Sequence, residues 1–385
     1  MLTARTIYWP SINAIGPGAL TNGIEEASKY GFKKALVVSD PILEKIGIVE
    51  KVLKQLDKIG LEYSVYTNVS ENPTVANVHT GLEEYKKNEC DCLVSIGGGS
   101  PQDTASAIAI LATNGGDIRD YNGIGISSKK SAPIIAINTT AGTAAEVTIN
   151  CVITDTEKKI KMVIVDPNSI PLISINDPEL MLEKPKGLTA ATGMDALTHA
   201  IEAYVSTGAF ELSDAISYKA IEFISRSLVA AVENGNDLEA RSQMAWGSFT
   251  AGLAFSNCGL GLVHSMAHQL GSEYNLPHGV ANAILLPFVM EYNLEANLEK
   301  FAQIAVAMGE KAEGKTIEEL ANASVKRVRE LSKEVKIPAL KETKFDVKDV
   351  EKLAKQAMVD PCTGGNPKGV TEKDIEGIYI KAFNY

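Results

Sequence analysis

The chain has 385 residues, 45% hydrophobic and 22% charged, the balance of a folded enzyme rather than a disordered segment. Lys and Arg number 37 against 48 Asp and Glu, a net charge of −11. No basic stripe stands out to neutralise phosphates, which argues against nucleic acid and anionic membranes as partners. At this length two domains are expected. The five cysteines (Cys90, Cys92, Cys151, Cys258, Cys362) are odd in number and scattered, so they do not read as a disulfide framework. The N-terminal MLTARTIYWPS has no apolar leader core or cleavage pattern, and no apolar run approaches the ~20 residues of a membrane span. A cytoplasmic protein is expected.

In chain order, ALVVSD at 35–40 is a short β-branched run ending in an acid, and helical spacing follows over 41–58. Residues 61–67 alternate like a strand, SENP at 70–73 breaks the chain, and 75–87 returns to helical spacing. DCLVSI at 91–96 and PIIAIN at 133–138 are continuous apolar runs, as expected of strands buried on both faces. Between them a helix opens at Ser100-Pro101 and runs to about residue 111, with proline in its first turn. Residues 147–154 and 160–165, joined by DTEKK, read as a hairpin, and 172–177 as a further strand. Strand and helix alternating at this pace imply a parallel α/β sheet. After Pro185 the strand signals vanish. Helical spacing then holds over 188–205, 209–233, 237–255 and 259–274, with weaker helical segments to the C-terminus. The expected organisation is an α/β domain over 1–185 and an all-helical domain over 186–385, an enzyme with its site in the cleft between them.

Two loops point to a phosphate-bearing cofactor. IGGGSPQD at 96–103 joins a buried strand to a helix, where glycines admit a close ligand and the helix N-terminus offers free N–H groups. It is neither a Walker A sequence nor a GxGxxG fingerprint. TTAGT at 139–143 ends the next strand, a second small-residue loop at the same carboxyl edge, where open α/β sheets bind ligands. Asp40 ends an earlier strand. An acid there can accept from two ribose hydroxyls and repels a 2′-phosphate, favouring NAD over NADP.

The stretch 187–282 carries four of the five histidines: His199, His264, His268 and His278. Asp195 and His199 are four apart on one helical face, and His264 and His268 repeat the spacing on another helix. His278 follows in a Pro-His-Gly turn. One such pair is an ordinary helix feature; four of five histidines beside one aspartate are the donors of a transition-metal site, Fe(II) or Zn(II). A metal in one half and a dinucleotide in the other suggest metal-assisted hydride transfer. One histidine is then left over to line the nicotinamide or relay a proton, and spacing does not say which.

The motifs GGGSPQD at 97–103, TTAGT at 139–143, INDPEL at 175–180, GLTAATGMDALTHAIEAYVS at 187–206 and HSMAHQLG…PHG at 264–279 together resemble the iron-containing (group III) alcohol dehydrogenases. The likeness covers essentially the whole chain. It is nearest the branch of 1,3-propanediol, butanol, methanol and lactaldehyde-reducing dehydrogenases. The resemblance implies a dinucleotide-binding α/β domain before a helical metal domain, the dehydroquinate-synthase-like architecture. It implies a metal, Fe2+ or else Zn2+, on Asp195, His199, His264 and His278, with His268 as the catalytic non-ligand beside the nicotinamide. It places NAD against Asp40, Asn72, Gly98, Gly99, Ser100, Asp103, Thr139, Thr140, Thr143, Thr148, Lys161 and Leu180. It places a small alcohol or aldehyde against Asn150, Phe255 and Cys362, and it implies a homodimer or larger homo-oligomer. Two departures bear on cofactor contacts: Ala144-Ala145 stands where the family usually has Gly or Ala and then Ser, and Ser106 where many members carry Lys.

Other readings are a glycerol-dehydrogenase-like polyol enzyme with Zn, a dehydroquinate-synthase-like lyase, and a non-catalytic NAD-sensing protein. The first type holds its metal with one Asp and two His, so a fourth donor favours iron. The second needs several basic residues to grip an acidic substrate, and 187–282 has only Lys219, Arg226 and Arg241. The intact four-donor set argues against the third.

Overall fold

A computed structural model describes residues 4–158, 160–182 and 184–385. The first three residues of the N-terminal stretch and Lys159 of the DTEKK turn, both read from sequence above, lie outside them. The described chain forms two compact units: one runs to Thr140 and resumes over Ala144–Met181, and the other comprises Ala141–Thr143 with Leu182–Tyr385.

The first unit contains strands β1 (Ile12–Ile15), β2 (Lys34–Val38), β3 (Glu62–Tyr66), β4 (Cys92–Gly97), β5 (Gly123–Ile124), β6 (Ile134–Asn138), β7 (Asn150–Asp155), β8 (Ile160–Val165) and β9 (Ile173–Asn176). Its helices are α1 (Ala19–Ser28), α2 (Pro41–Lys45), α3 (Ile48–Lys58), α4 (Val75–Lys87) and α5 (Gly99–Asn114). Six strands make a parallel sheet in the order β1-β9-β6-β4-β2-β3. Its central strands are apolar throughout because both faces are covered. On β2, Leu36 and Val38 join a core with Val78 and Ile108, while Ala35 and Val37 join another with Ile24 and Val52. Cys90 and Cys92 are free thiols divided between these same two cores, a packing role. The strand order reverses direction between β2 and β4. That places the ends of β2 and β4, with Asp40 and the glycine loop, at the switch point where such sheets bind ligands.

β7 and β8 pair antiparallel, as the hairpin reading expected, but with β5 they form a separate three-stranded sheet. The strand begins at Asn150 rather than 147, because Ala145–Val147 closes a 3-10 turn behind Ala144, whose φ is +52°. The helix expected over 41–58 is two helices. Gly47, at φ +82°, turns the chain between α2 and α3, a conformation that costs other residues more than glycine. β1 and α1 were not read from the sequence.

The second unit contains helices α6 (Lys186–Val205), α7 (Glu211–Glu233), α8 (Leu238–Cys258), α9 (Leu262–Tyr274), α10 (His278–Asn293), α11 (Leu298–Ala307), α12 (Ile317–Glu334), α13 (Val350–Met358) and α14 (Glu372–Asn384), and no strand among the described residues. Met194, Leu197, Ile201, Leu228, Met266 and Leu285 share one core. α6 is buried almost end to end, so its polar side chains are enclosed as well. His278 does not sit in a free turn but opens α10 after Pro277, whose fixed φ suits a helix start. Among the described residues no helix is long and apolar enough to cross a membrane.

Candidate functional site

In the first unit, the predicted cofactor residues gather at the carboxyl edge of the parallel sheet. Asp40 caps α2, with Oδ1 accepting from Ile42 N and Leu43 N at 2.9 Å each. The glycine loop carries Gly98 as the N-cap of α5 and Gly99 and Ser100 as its first residues, and Ser100 Oγ donates to the Glu71 carbonyl. Thr139 N donates to the Gly97 carbonyl at 3.1 Å, and Thr140 N to Asn138 Oδ1 at 2.9 Å, which fixes the second loop beside the first. Asp103 accepts from Val152 N at 3.1 Å, and Lys161 Nζ donates to Asn72 Oδ1 at 3.0 Å, so the small sheet is tied to the same edge. Burial pushes Asp103 up to about 8, against the Val152 bond and the Lys161 charge. Thr148 is buried just after the 3-10 turn, and Leu180 is buried with the sheet core. Asn150 opens β7.

In the second unit, Asp195, His199 and Glu202 occupy one face of α6, four and three residues apart. α9 contributes His264 and His268, and α10 contributes His278 and, one turn on, Asn282. One ligand atom from each of Asp195, His199, His264 and His278 lies within 4.8 Å of the others. His268 falls instead with Asp360 and Cys362. Its Nδ1 is 2.8 Å from Asp360 Oδ2, while Cys362 N donates to Asp360 Oδ1 at 3.0 Å. Burial raises Asp360, yet the His268 bond and charge outweigh it and hold the carboxyl below its usual range. His199 is sandwiched between Phe255 and His264, with ring centroids 4.3 and 4.5 Å away. Thr143 lies in the short segment that groups with this unit, where the Gly142 carbonyl accepts from Ser248 Oγ at 3.2 Å. The fifth histidine, His79, sits apart on α4 and pairs with Asp117 at 3.0 Å.

The donor set suits a divalent cation. Burial, and then the neighbouring imidazoles, hold His264 well below its ordinary value; burial also lowers His199. Both rings are therefore neutral and carry lone pairs, the form a metal needs. Asn282 Nδ2 is 2.7 Å from Asp195 Oδ1 and 3.1 Å from both His264 Nε2 and His278 Nε2. One carboxylate oxygen and two ring nitrogens thus converge on one amide nitrogen, which has only two hydrogens to give. Behind His264, Glu202 is buried and accepts from Gly261 N, Val263 N and the His264 ring. Burial nevertheless pushes it up to about 8, so the buried set is short of positive charge.

Glu202, Asn282 and Asp360 were absent from the sequence reading. Glu202 had a signal, since it follows Asp195 and His199 on the same helical face. Asn282 repeats the spacing of four from His278. Asp360 had none, being 92 residues from its partner.

Residues 10–178 match the iron-containing alcohol dehydrogenase family, and 189–383 match the Fe-containing alcohol dehydrogenase family, C-terminal. The chain is 48% identical to lactaldehyde reductase of Escherichia coli (strain K12) over 96% of this chain and 97% of that protein. It is 47% identical to 1,3-propanediol dehydrogenase of Citrobacter freundii over 97% of each. It is 44% identical to NAD-dependent methanol dehydrogenase of Bacillus methanolicus over 97% of this chain and 99% of that one. Among solved structures, that of a 1,3-propanediol oxidoreductase superposes with a TM-score of 0.97 at 45% identity, covering 99% of this chain and 100% of that one.

Proposed function

The chain belongs to the iron-containing alcohol dehydrogenase family and interconverts an alcohol and its aldehyde; from that premise we propose that its substrate is a small primary alcohol or diol, its redox partner NAD and its metal Fe2+. The observation that carries the metal is the convergence of Asp195, His199, His264 and His278, with burial lowering the His199 and His264 rings below their ordinary value. A divalent iron there would lower the pKa of an alcohol hydroxyl and polarise an aldehyde carbonyl, while the nicotinamide would accept or return hydride. The mixed oxygen and nitrogen set also accommodates Zn2+.

The chain's own residues do the rest. Asp195, His199 and His264 are all buried, so they hold their donor atoms away from water. Phe255 stacks on His199 and contributes an apolar wall. Asp360 engages His268 through Nδ1, which leaves Nε2 as the atom where this ring takes or gives the alcohol proton. Phe255 and Cys362 line the substrate end. The glycine loop and the threonines of 139–143 hold the pyrophosphate, and Asp40 the adenosine ribose. The relatives named for lactaldehyde and 1,3-propanediol support a small alcohol or diol as substrate, and the reading is completed by a cytoplasmic homodimer or larger homo-oligomer with no nucleic acid or membrane partner.

The test is NADH oxidation by anaerobically purified, iron-loaded protein across a panel of C2–C4 aldehydes. Turnover that depends on the metal is expected. Full turnover after exhaustive chelation, or none with any aldehyde, would overturn the proposal.

A further inference from the structure

We propose that Glu202 is a positioning residue for the metal centre: it fixes His264 in the tautomer and orientation that present Nε2 as a ligand. The inference rests on the metal reading above, and it assigns a role to a residue that touches no reacting atom.

Glu202 lies on α6, three residues after His199, and is only 4% exposed. Its two oxygens accept from three donors on or before α9: Gly261 N at 3.1 Å, Val263 N at 2.6 Å and His264 Nδ1 at 2.6 Å. Gly261 is the N-cap of α9 and has no side chain to cap it, so Glu202 satisfies the free N–H groups from the neighbouring helix. The same carboxylate reaches past the backbone to the ring two residues into the turn. With a cation in the cluster the Glu202 side chain is a carboxylate, which only accepts, so the imidazole must donate through Nδ1. A neutral ring has one N–H, and its lone pair is then on Nε2. That atom is the one beside Asn282 Nδ2, on the side where Asp195 Oδ1 and His278 Nε2 converge.

Two consequences follow for the metal. The ring cannot flip to offer Nδ1 without breaking the 2.6 Å contact inside a closed core. Negative charge behind Nδ1 also raises the basicity of Nε2, the effect of a carboxylate behind a ligating histidine. Because Glu202 spans α6 and α9, it also sets the register between the helix carrying Asp195 and His199 and the helix carrying His264.

The test uses the full chain, stripped of metal and titrated with Co2+ against a chelator. Glu202→Gln, His264→Ala and the double variant are measured beside the wild type. Glu202→Gln is expected to weaken Co2+ binding by roughly 10- to 100-fold, the usual loss on removing such a partner, and to change the visible Co2+ spectrum. If Glu202 acts through His264, the double variant binds no more weakly than His264→Ala alone. A purely structural carboxylate would instead give losses that multiply. Because Glu202→Gln can compromise folding, the tautomer is also read in the wild type by long-range proton–nitrogen correlation on histidine-labelled, Zn2+-loaded protein. A protonated Nδ1 on His264 is expected; a protonated Nε2 overturns the proposal. Wild-type Co2+ affinity retained in Glu202→Gln overturns it too, while leaving the metal reading intact. A wild-type chain that binds no Co2+ removes the metal reading itself, and the proposal with it.

Discussion

Gly279→Ala should perturb the proposed metal centre without replacing any of its proposed ligands. Gly279 follows His278 in the first turn of α10 and faces α6. A Cβ there would lie 2.3 Å from the Ala191 carbonyl oxygen, 2.8 Å from its carbonyl carbon and 3.3 Å from Asp195 Cβ. Non-bonded carbons settle at roughly 3.5–4.0 Å, so the helices must part by about 1 Å. The nearest atoms are backbone, which cannot swing aside as a side chain can. Metal–ligand distances tolerate only about 0.2 Å, so the retreat carries His278 out of reach of an ion held by Asp195. In energy two effects compete. Alanine gains up to about 1 kcal/mol of helix propensity over glycine. Overpacking costs about 1–3 kcal/mol, and against backbone atoms the upper part of that range, about 2–3 kcal/mol, applies, so the clash wins by about 1–2 kcal/mol. At ~2–4 °C per kcal/mol for a unit of this size, the metal-free Tm falls by about 2–8 °C. Calorimetry of metal-free protein and Co2+ titration against a chelator measure both effects. An unchanged Tm together with unchanged Co2+ affinity would refute the close approach of α10 to α6 as the basis of the site.

Three further changes separate roles within the site. His268→Ala should keep the metal, because His268 groups with Asp360 and Cys362, while slowing turnover; metal loss in elemental analysis would count against that role. Asp40→Asn keeps the capping oxygen that Ile42 N and Leu43 N use but removes the charge, so the ratio of NADP to NAD turnover should rise about tenfold; an unchanged ratio would place Asp40 away from the ribose. Asp103 is raised by burial to about 8 in the fold against roughly 3.9 when unfolded, so its contribution to stability is full at low pH and is lost as pH rises from ~4 to ~8. Asp103→Asn should therefore flatten the decline in urea midpoint across that window relative to the wild type; parallel curves would contradict the burial.

Much of this was legible because the chemistry repeats at helical spacing. Asp195/His199 and His264/His268 each announce one face of a helix. That α6, α9 and α10 meet at those faces depends on packing, which spacing does not carry. The leftover histidine shows the limit: its identity follows from Asp360, which a loop far along the chain delivers to Nδ1. Glu202 was overlooked because glutamate in a helical run ordinarily faces solvent, whereas α6 is buried almost end to end. In the sheet, β4 is buried along its whole length, as the apolar run at 91–96 led one to expect of a strand covered on both faces. β7 alternates between partly buried and buried residues, the mark of one covered face, which fits its place in a separate small sheet. Gly47 carried a signal that the apolar periodicity on either side of it obscured.

The central claim is that Asp195, His199, His264 and His278 hold the metal on which alcohol–aldehyde interconversion depends. Its most direct test is elemental analysis of anaerobically purified wild type and His264→Ala, with NADH-dependent aldehyde reduction measured on the same samples. The account predicts stoichiometric iron and turnover in the wild type, and loss of both together in the variant. Full metal content and wild-type turnover in His264→Ala would contradict it.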